Sequence, residues 1–166
     1  MQVDAATVRR IVAAVRAAPP RAGRTRVLAV DGPSAAGKTV LAGALAAALG
    51  GVPVVHLDDF YPGWDGLADG VTRLRRWVLE PLAAGRPAGW RRYDWVAGRD
   101  AEWHPVPPAP VLVVEGCGAG ARACAPYLSL LVWVEAPSDV RWRRAMARDG
   151  DAYRPYWERW RRQEDA

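Results

Sequence analysis

Eight consecutive residues, Gly32-Pro33-Ser34-Ala35-Ala36-Gly37-Lys38-Thr39, fit the pattern G-x-x-x-x-G-K-[ST] at every fixed position. The apolar run RVLAV (26–30) precedes them. A stretch carrying Leu41, Leu45 and Leu49 at helical spacing follows, closed by Gly50-Gly51. A strand, a glycine-rich turn and a helix in that order leave the chain few options. The glycines let successive backbone N–H groups converge, the helix adds the positive end of its dipole, and an anion is the natural occupant. Lys38 supplies a compact cation suited to β- and γ-phosphates, and Thr39 a hydroxyl suited to Mg²⁺. Gly32 through Thr39, with Val40 at the head of the helix, form the candidate nucleotide-binding segment.

Lys38 is also the only lysine among the 23 basic residues; all the rest are arginine. A general bias toward arginine would spare a position where a planar guanidinium fits poorly, and a wrapped phosphate loop is such a position. The net charge of +5 suits nucleic acid, a membrane surface or phosphorylated small molecules and does not choose among them. At 166 residues the chain has the length of one domain. Cys117 and Cys124 show neither metal spacing nor a disulfide framework. Arg9, Arg10 and Arg16 interrupt any leader-like apolar core in residues 1–20. The uncharged run 39–55 is broken by Gly50, Gly51 and Pro53, short of a membrane span. These features predict a soluble cytoplasmic protein.

Val8, Ile11, Val12 and Val15 predict a helix over residues 3–17, stopped by Pro19-Pro20. Apolar runs at 52–57, 110–116 and 128–136 predict three further strands. Each lacks alternation, as expected of strands covered on both faces. Ser138 is the expected cap of a helix reaching about Arg148. Strands alternating with helices indicate an α/β fold with a parallel sheet. Between the second and third strands lies an insert, 62–109, expected to hold one helix near 71–84 and otherwise loop.

Several residues outside the glycine loop have the chemistry of a site. Glu115 ends the third strand, where a carboxylate can hold Mg²⁺ or its water; the plain alternative is an acid exposed at a strand end. Asp58 in HLDDFYPGW ends the second strand and can accept the proton of an attacking hydroxyl, or belong to a solvated turn. Arg141, Arg144 and Arg148 share one helix face by their spacing, with Arg143 off it. That face can clamp phosphates or simply face water. Of the insert tryptophans, Trp64 and Trp95 are the candidates for a substrate wall, and Trp77, Trp90 and Trp103 for packing. Of the insert arginines, Arg99 is the candidate to meet an acidic or phosphorylated substrate. The terminal YWERWRRQ reads as an amphipathic helix packing Tyr156, Trp157 and Trp160 on the body, with single-stranded nucleic acid as the other use of such a mixture.

GPSAAGKT, HLDDFY, RRYDWV, VVEG and RWRRAMARD, in that order across about residues 26–150, resemble the uridine kinase family with its phosphoribulokinase and nicotinamide riboside kinase relatives. The resemblance implies a P-loop NTPase of the nucleoside-monophosphate-kinase-like class, three layers α/β/α around a parallel sheet. It implies transfer of the ATP γ-phosphate to a sugar hydroxyl of a small metabolite. By the same resemblance Asp58 is the catalytic aspartate, Tyr61 lies near the sugar, and Tyr93 with Asp94 lines the nucleoside site. Arg141, Arg144 and Arg148 correspond to lid arginines. The chain also departs from the family. VAGRD stands where the pyrimidine-reading histidine follows, and the lid has Arg154 but no Arg-Gly repeat. The family adds a last helix and strand beyond the point where this chain reads WERWRRQEDA, so a four-stranded sheet lacking the last strand is expected.

The combined expectation is one kinase domain over 1–166, with 62–109 as substrate-binding insert and 138–155 as lid, using ATP and Mg²⁺ on a small-molecule acceptor. Lys38, Asp58, Arg141 and Arg144 are the catalytic candidates, with Arg148 on the nucleotide phosphates. Thr39 and Glu115 are the metal candidates, and Tyr61, Trp64, Tyr93, Trp95 and Arg99 join Asp58 around the acceptor. No membrane partner is expected, nucleic acid is disfavoured, and a homodimer is left open. The competing readings are a nucleotide-binding switch or regulatory ATPase without an acceptor, and a nucleic-acid-associated ATPase or a kinase acting on polynucleotide ends.

Overall fold

A computed structural model describes residues 3–166. Met1 and Gln2, part of the N-terminal stretch read above for a leader, lie outside the described residues. Four strands, β1 (Arg26–Asp31), β2 (Val54–His56), β5 (Val111–Glu115) and β6 (Leu130–Trp133), form one parallel sheet in the order β2-β5-β1-β6. The four-stranded parallel sheet agrees with expectation.

Pleating gives the sheet two buried faces. Leu28 and Val30 of β1 and Val111 and Val113 of β5 point to a core shared with Val12 and Val15 of α1 (Ala5–Ala17) and Leu41 and Leu45 of α2 (Lys38–Ala48). Val27, Ala29, Leu112 and Val114 point to the opposite core, which also takes Phe60, Tyr61, Leu74, Val78, Trp157 and Trp160. Three layers result, and β1 and β5 are buried at nearly every position. The expectation of two covered faces fails at β6. It lies at the sheet edge, and Leu131 and Trp133 are exposed.

The insert is more ordered than expected. One helical run spans α3 (Leu67–Arg73), a π-helical stretch (Leu74–Leu79) and α4 (Glu80–Ala83). Pro81 has no N–H to send back to Trp77, and the ladder upstream widens so that the Glu80 N–H donates to the Arg75 carbonyl. Nor is the remainder all loop. β3 (Gly89–Asp94) and β4 (Arg99–Pro105) form an antiparallel hairpin with a register shift between Arg91 and Tyr93. Its exposed polar residues and arginines hide the alternation that marks a strand.

Beyond the sheet, α5 (Ser138–Asp149) and α6 (Trp157–Glu164) are joined by two short 3₁₀ turns. Ser138 is the first helical residue of α5, and its side chain makes no cap bond; Pro137 holds the capping position. α6 buries Trp157 and Trp160 as its pattern predicts. Among the described residues no helix is long and apolar enough to cross a membrane.

Candidate active site

The phosphate loop leaves β1 at Asp31. At Gly32, φ is +140° and a Cβ would sit 2.0 Å from the Val134 carbonyl oxygen, so only glycine lets the loop pass that close to the chain leaving β6. The buried Asp31 carboxylate accepts from the N–H groups of Gly32 (2.6 Å), Gly118 (2.9 Å) and Gly120 (2.8 Å), tying the loop to the segment after β5. Gly37 caps α2 in a left-handed conformation without a side-chain bond. The first N–H groups of α2 are thus left for a ligand. Ala35 is the one non-glycine residue with positive φ (+61°) among the described residues, a conformation costing about 1 kcal/mol.

Lys38 is buried and folded back on its own loop, its Nζ donating to the carbonyls of Gly32 (2.8 Å) and Pro33 (3.0 Å) and lying 3.4 Å from Cys117 Sγ. Next to it the Thr39 hydroxyl donates to Glu115 Oε1 (3.1 Å), and His56 Nδ1 lies 2.6 Å from the same oxygen. That bond raises the His56 pKa, partly opposed by burial. Thr39 and Glu115 present two hard oxygen donors side by side. Among the described residues no group of three or more His, Cys, Asp or Glu could hold a metal. The pair suits a Mg²⁺ that completes its shell with water and phosphate oxygens.

Lys38, Thr39 and Glu115 line a cavity of about 740 Å³ that also reaches Asp58, Tyr61, Trp64 and Trp95. This is the size of a small-molecule site. Asp58 sits on the 3₁₀ turn Leu57–Asp59 that follows β2. Its side chain is open to water inside the cavity but ringed by protein. That loss of solvation, and then the charge of Glu115, raise its pKa from the ordinary aspartate value, while Lys38 and Arg148 act the other way.

The three candidate arginines of α5 divide. Arg144 lines the cavity and donates to the carbonyls of Ala35 (3.4 Å) and Ala36 (3.1 Å). Arg148 lines it too, paired with Asp149 at 2.7 Å. Arg141 is buried behind the loop, donating to Ser34 O (3.3 Å), 3.6 Å from Glu164 and over the Trp157 ring.

On the other side of the cavity, Tyr61 is buried and donates its hydroxyl to the Cys117 carbonyl (2.7 Å). Trp64 stacks on Tyr156 with centroids 4.4 Å apart and lies 4.9 Å from Trp95. Trp95 Nε1 donates to the Asp58 carbonyl (3.2 Å), pinning the hairpin tip beside the acid. Tyr93 stands behind Trp95, edge-on at 5.6 Å, and is not in the cavity wall. Arg99 is exposed on β4 and is not in the wall either. Val40 lines the cavity at its rim; Gly32 and Pro33 contribute through their carbonyls on Lys38.

Residues that sequence reasoning does not single out complete the site: His56 on Glu115, Asp31 under the loop, Cys117 and Tyr153 in the wall, and Glu164, whose carboxylate accepts from the Ser34 N–H at 2.6 Å. Trp160, expected only to pack, is also in the wall. For Asp31 and His56 a signal exists, since each lies at the carboxyl end of a parallel strand, where such folds place their ligands. For Glu164 there is none.

No protein-family model matches the sequence, and no curated protein matches it. Solved structures do. A uridine kinase candidate from Bacillus stearothermophilus superposes with TM-score 0.61 at 21% identity, over 96% of this chain and 94% of that one. A candidate fructose transport system kinase from Silicibacter sp. TM1040 superposes with TM-score 0.66 at 19% identity, over 99% and 95%. Both are similar along nearly their whole length, so the chain shares their three-layer α/β/α fold.

Proposed function

We propose that the protein is an ATP-dependent phosphotransferase that moves the γ-phosphate to a hydroxyl of a small nucleoside-like or sugar-containing metabolite. The observation that carries this reading is a single cavity lined by the phosphate-loop residues Lys38 and Thr39, by Glu115, and by a carboxylate, Asp58, with aromatic walls beyond it. A site that only bound or hydrolysed nucleotide would not need such a walled extension past the terminal phosphate.

In this reading the loop amides and Lys38 hold the β- and γ-phosphates, and Lys38 exchanges its present carbonyl partners for phosphate oxygens. Thr39 and Glu115 hold Mg²⁺, which when bound neutralises charge on the phosphates. Asp58 orients the acceptor hydroxyl and takes its proton as the new O–P bond forms and the bond to ADP breaks. Arg144 and Arg148, open to the cavity, stabilise charge on the transferring group. Arg141 acts on the loop from behind. Trp64, Trp95 and Tyr61 shape the acceptor side.

The test is ADP release from ATP and Mg²⁺ with a panel of nucleosides, ribosides and sugars. One acceptor should raise turnover, Asp58→Asn should abolish that stimulation, and Lys38→Ala should abolish nucleotide binding. Nucleotide binding with no acceptor-stimulated turnover would replace this reading by a nucleotide-driven switch.

A further inference from the structure

Ser34 lies in the middle of the phosphate loop, and all its polar groups are held by the C-terminal segment. Glu164 on α6 accepts from its N–H (2.6 Å), Arg141 on α5 donates to its carbonyl (3.3 Å), and the Tyr153 hydroxyl on the connecting turn bonds its Oγ (3.1 Å). The Glu164 side chain is 6% exposed and the Arg141 side chain 10%, with 3.6 Å between their charged groups. The next residue, Ala35, is the non-glycine residue with positive φ, and Arg144 donates to its carbonyl. A strained alanine persists only where its surroundings over-determine it. Here the clamps on Ser34 and on Ala35 itself do so.

We infer that Glu164 is a positioning residue of the nucleotide site: from α6 it holds Ser34, and through Ser34 the strained turn at Ala35, in the shape that receives phosphate. Without that carboxylate the Ser34 N–H is free to rotate, Arg141 loses its counter-charge, and Ala35 relaxes toward negative φ. The convergence of the loop amides is then formed only at the moment of binding, which weakens affinity. Cys117 ties the same carboxylate to the Lys38 side of the loop, its thiol donating to Glu164 at 3.3 Å. α6 also holds the acceptor wall, since Gln163 Nε2 donates to the Trp64 carbonyl (2.8 Å). The carboxylate acts on the donor side of the cavity and the neighbouring amide on the acceptor side.

The inference rests on the nucleotide reading, and its test separates the two. Hydrogen exchange of the loop amides in the nucleotide-free protein needs no ligand, and calorimetric binding of ATP and of inorganic triphosphate does. Glu164→Gln, which keeps the shape and removes the charge, should speed exchange over 34–37 and weaken both ligands about tenfold. Ala35→Gly, for which positive φ carries no strain, should restore part of that affinity when combined with Glu164→Gln. Neither effect belongs to a residue that merely packs α6, and Glu164→Gln keeps the test usable should Glu164→Ala not fold. Unchanged exchange in Glu164→Gln overturns the inference whatever the ligand data. Tighter binding also overturns it, because the carboxylate would then be a competitor for the phosphate seat. If the unmodified protein binds neither ligand, the nucleotide reading fails while exchange still decides the clamp.

Discussion

On the proposed reaction the cavity has a donor half and an acceptor half, and the two are built by different means. The donor half is backbone: a run of eight residues whose glycines, amides and helix end form the receptor, locked to the sheet by Asp31 and from behind by Arg141 and Glu164. The acceptor half is side chain. Tyr61 and Trp64 follow β2, Trp95 comes from the hairpin tip and Trp160 from α6, with only aromatic packing and a few hydrogen bonds between them. Backbone recognition is local in sequence and nearly indifferent to everything but the phosphates. Recognition by side chains gathered from distant segments is specific and leaves no compact signature. The donor half should therefore fail as a unit, the acceptor half piece by piece.

Gly32→Ala should have the largest effect. With a Cβ 2.0 Å from the Val134 carbonyl, the loop must move away from the segment after β6. A loss of about 3 kcal/mol or more is expected, read by denaturant unfolding, together with loss of ATP binding by calorimetry. A Gly32→Ala protein that is stable and binds ATP would break the account of the donor half outright.

Asp58→Asn tests the junction of the halves. It should lower kcat by about 10²–10⁴-fold while leaving ATP affinity within about threefold, because in the proposed reaction the group acts on the hydroxyl and not on the donor. A base works only when deprotonated, and crowding in the cavity raises the Asp58 pKa. The acid limb of kcat/KM should lie above the ordinary aspartate value and be missing from Asp58→Asn. A limb at the ordinary value would mean that the cavity stays fully wet during turnover.

The same contrast explains what can be read from the sequence. The loop, its strand and its helix are legible because glycines, one lysine and a leucine stripe are adjacent in the chain. The sheet is legible from its apolar runs, except that no run reveals which strand will be an edge, and β6 with its exposed Trp133 is one. The β3–β4 hairpin reads as loop because arginines, tryptophans and acids alternate there without an apolar face of ordinary kind. The family resemblance assigns Tyr93 to the acceptor and the charge of the insert assigns Arg99, but the hairpin turns Arg99 to solvent and Tyr93 behind Trp95. Glu164 is invisible in the sequence because its partner Ser34 is 130 residues away.

Within the acceptor half the hairpin separates two arginine and tryptophan outcomes. Trp95→Ala removes a wall and the bond to the Asp58 carbonyl, and should raise the acceptor KM about tenfold with the ATP KM unchanged. Arg99→Ala, exposed and outside the wall, should leave both within about twofold. An acceptor KM that rises with Arg99→Ala would show that the hairpin tip folds over the substrate, and that the acceptor half closes further during turnover.

The smallest effect belongs to His56, at the edge of the donor half. Its bond to Glu115 raises its folded pKa above the ordinary value of 6.5. A histidine shifted in that direction lends stability that is fully present below its unfolded pKa and is lost as pH rises through the folded one. His56→Asn should therefore melt below the unmodified protein at about pH 6 and match it more closely at about pH 9. The gap should be no more than about 1 kcal/mol, because the imidazole is 39% exposed and water screens the pair. Saturating Mg²⁺ and nucleotide sharpen the comparison. If Glu115 turns to the metal, His56 loses its partner, and the difference between the two proteins at about pH 6 should shrink. A gap that persists unchanged would mean that Glu115 keeps its histidine and leaves the metal to Thr39 and the phosphates.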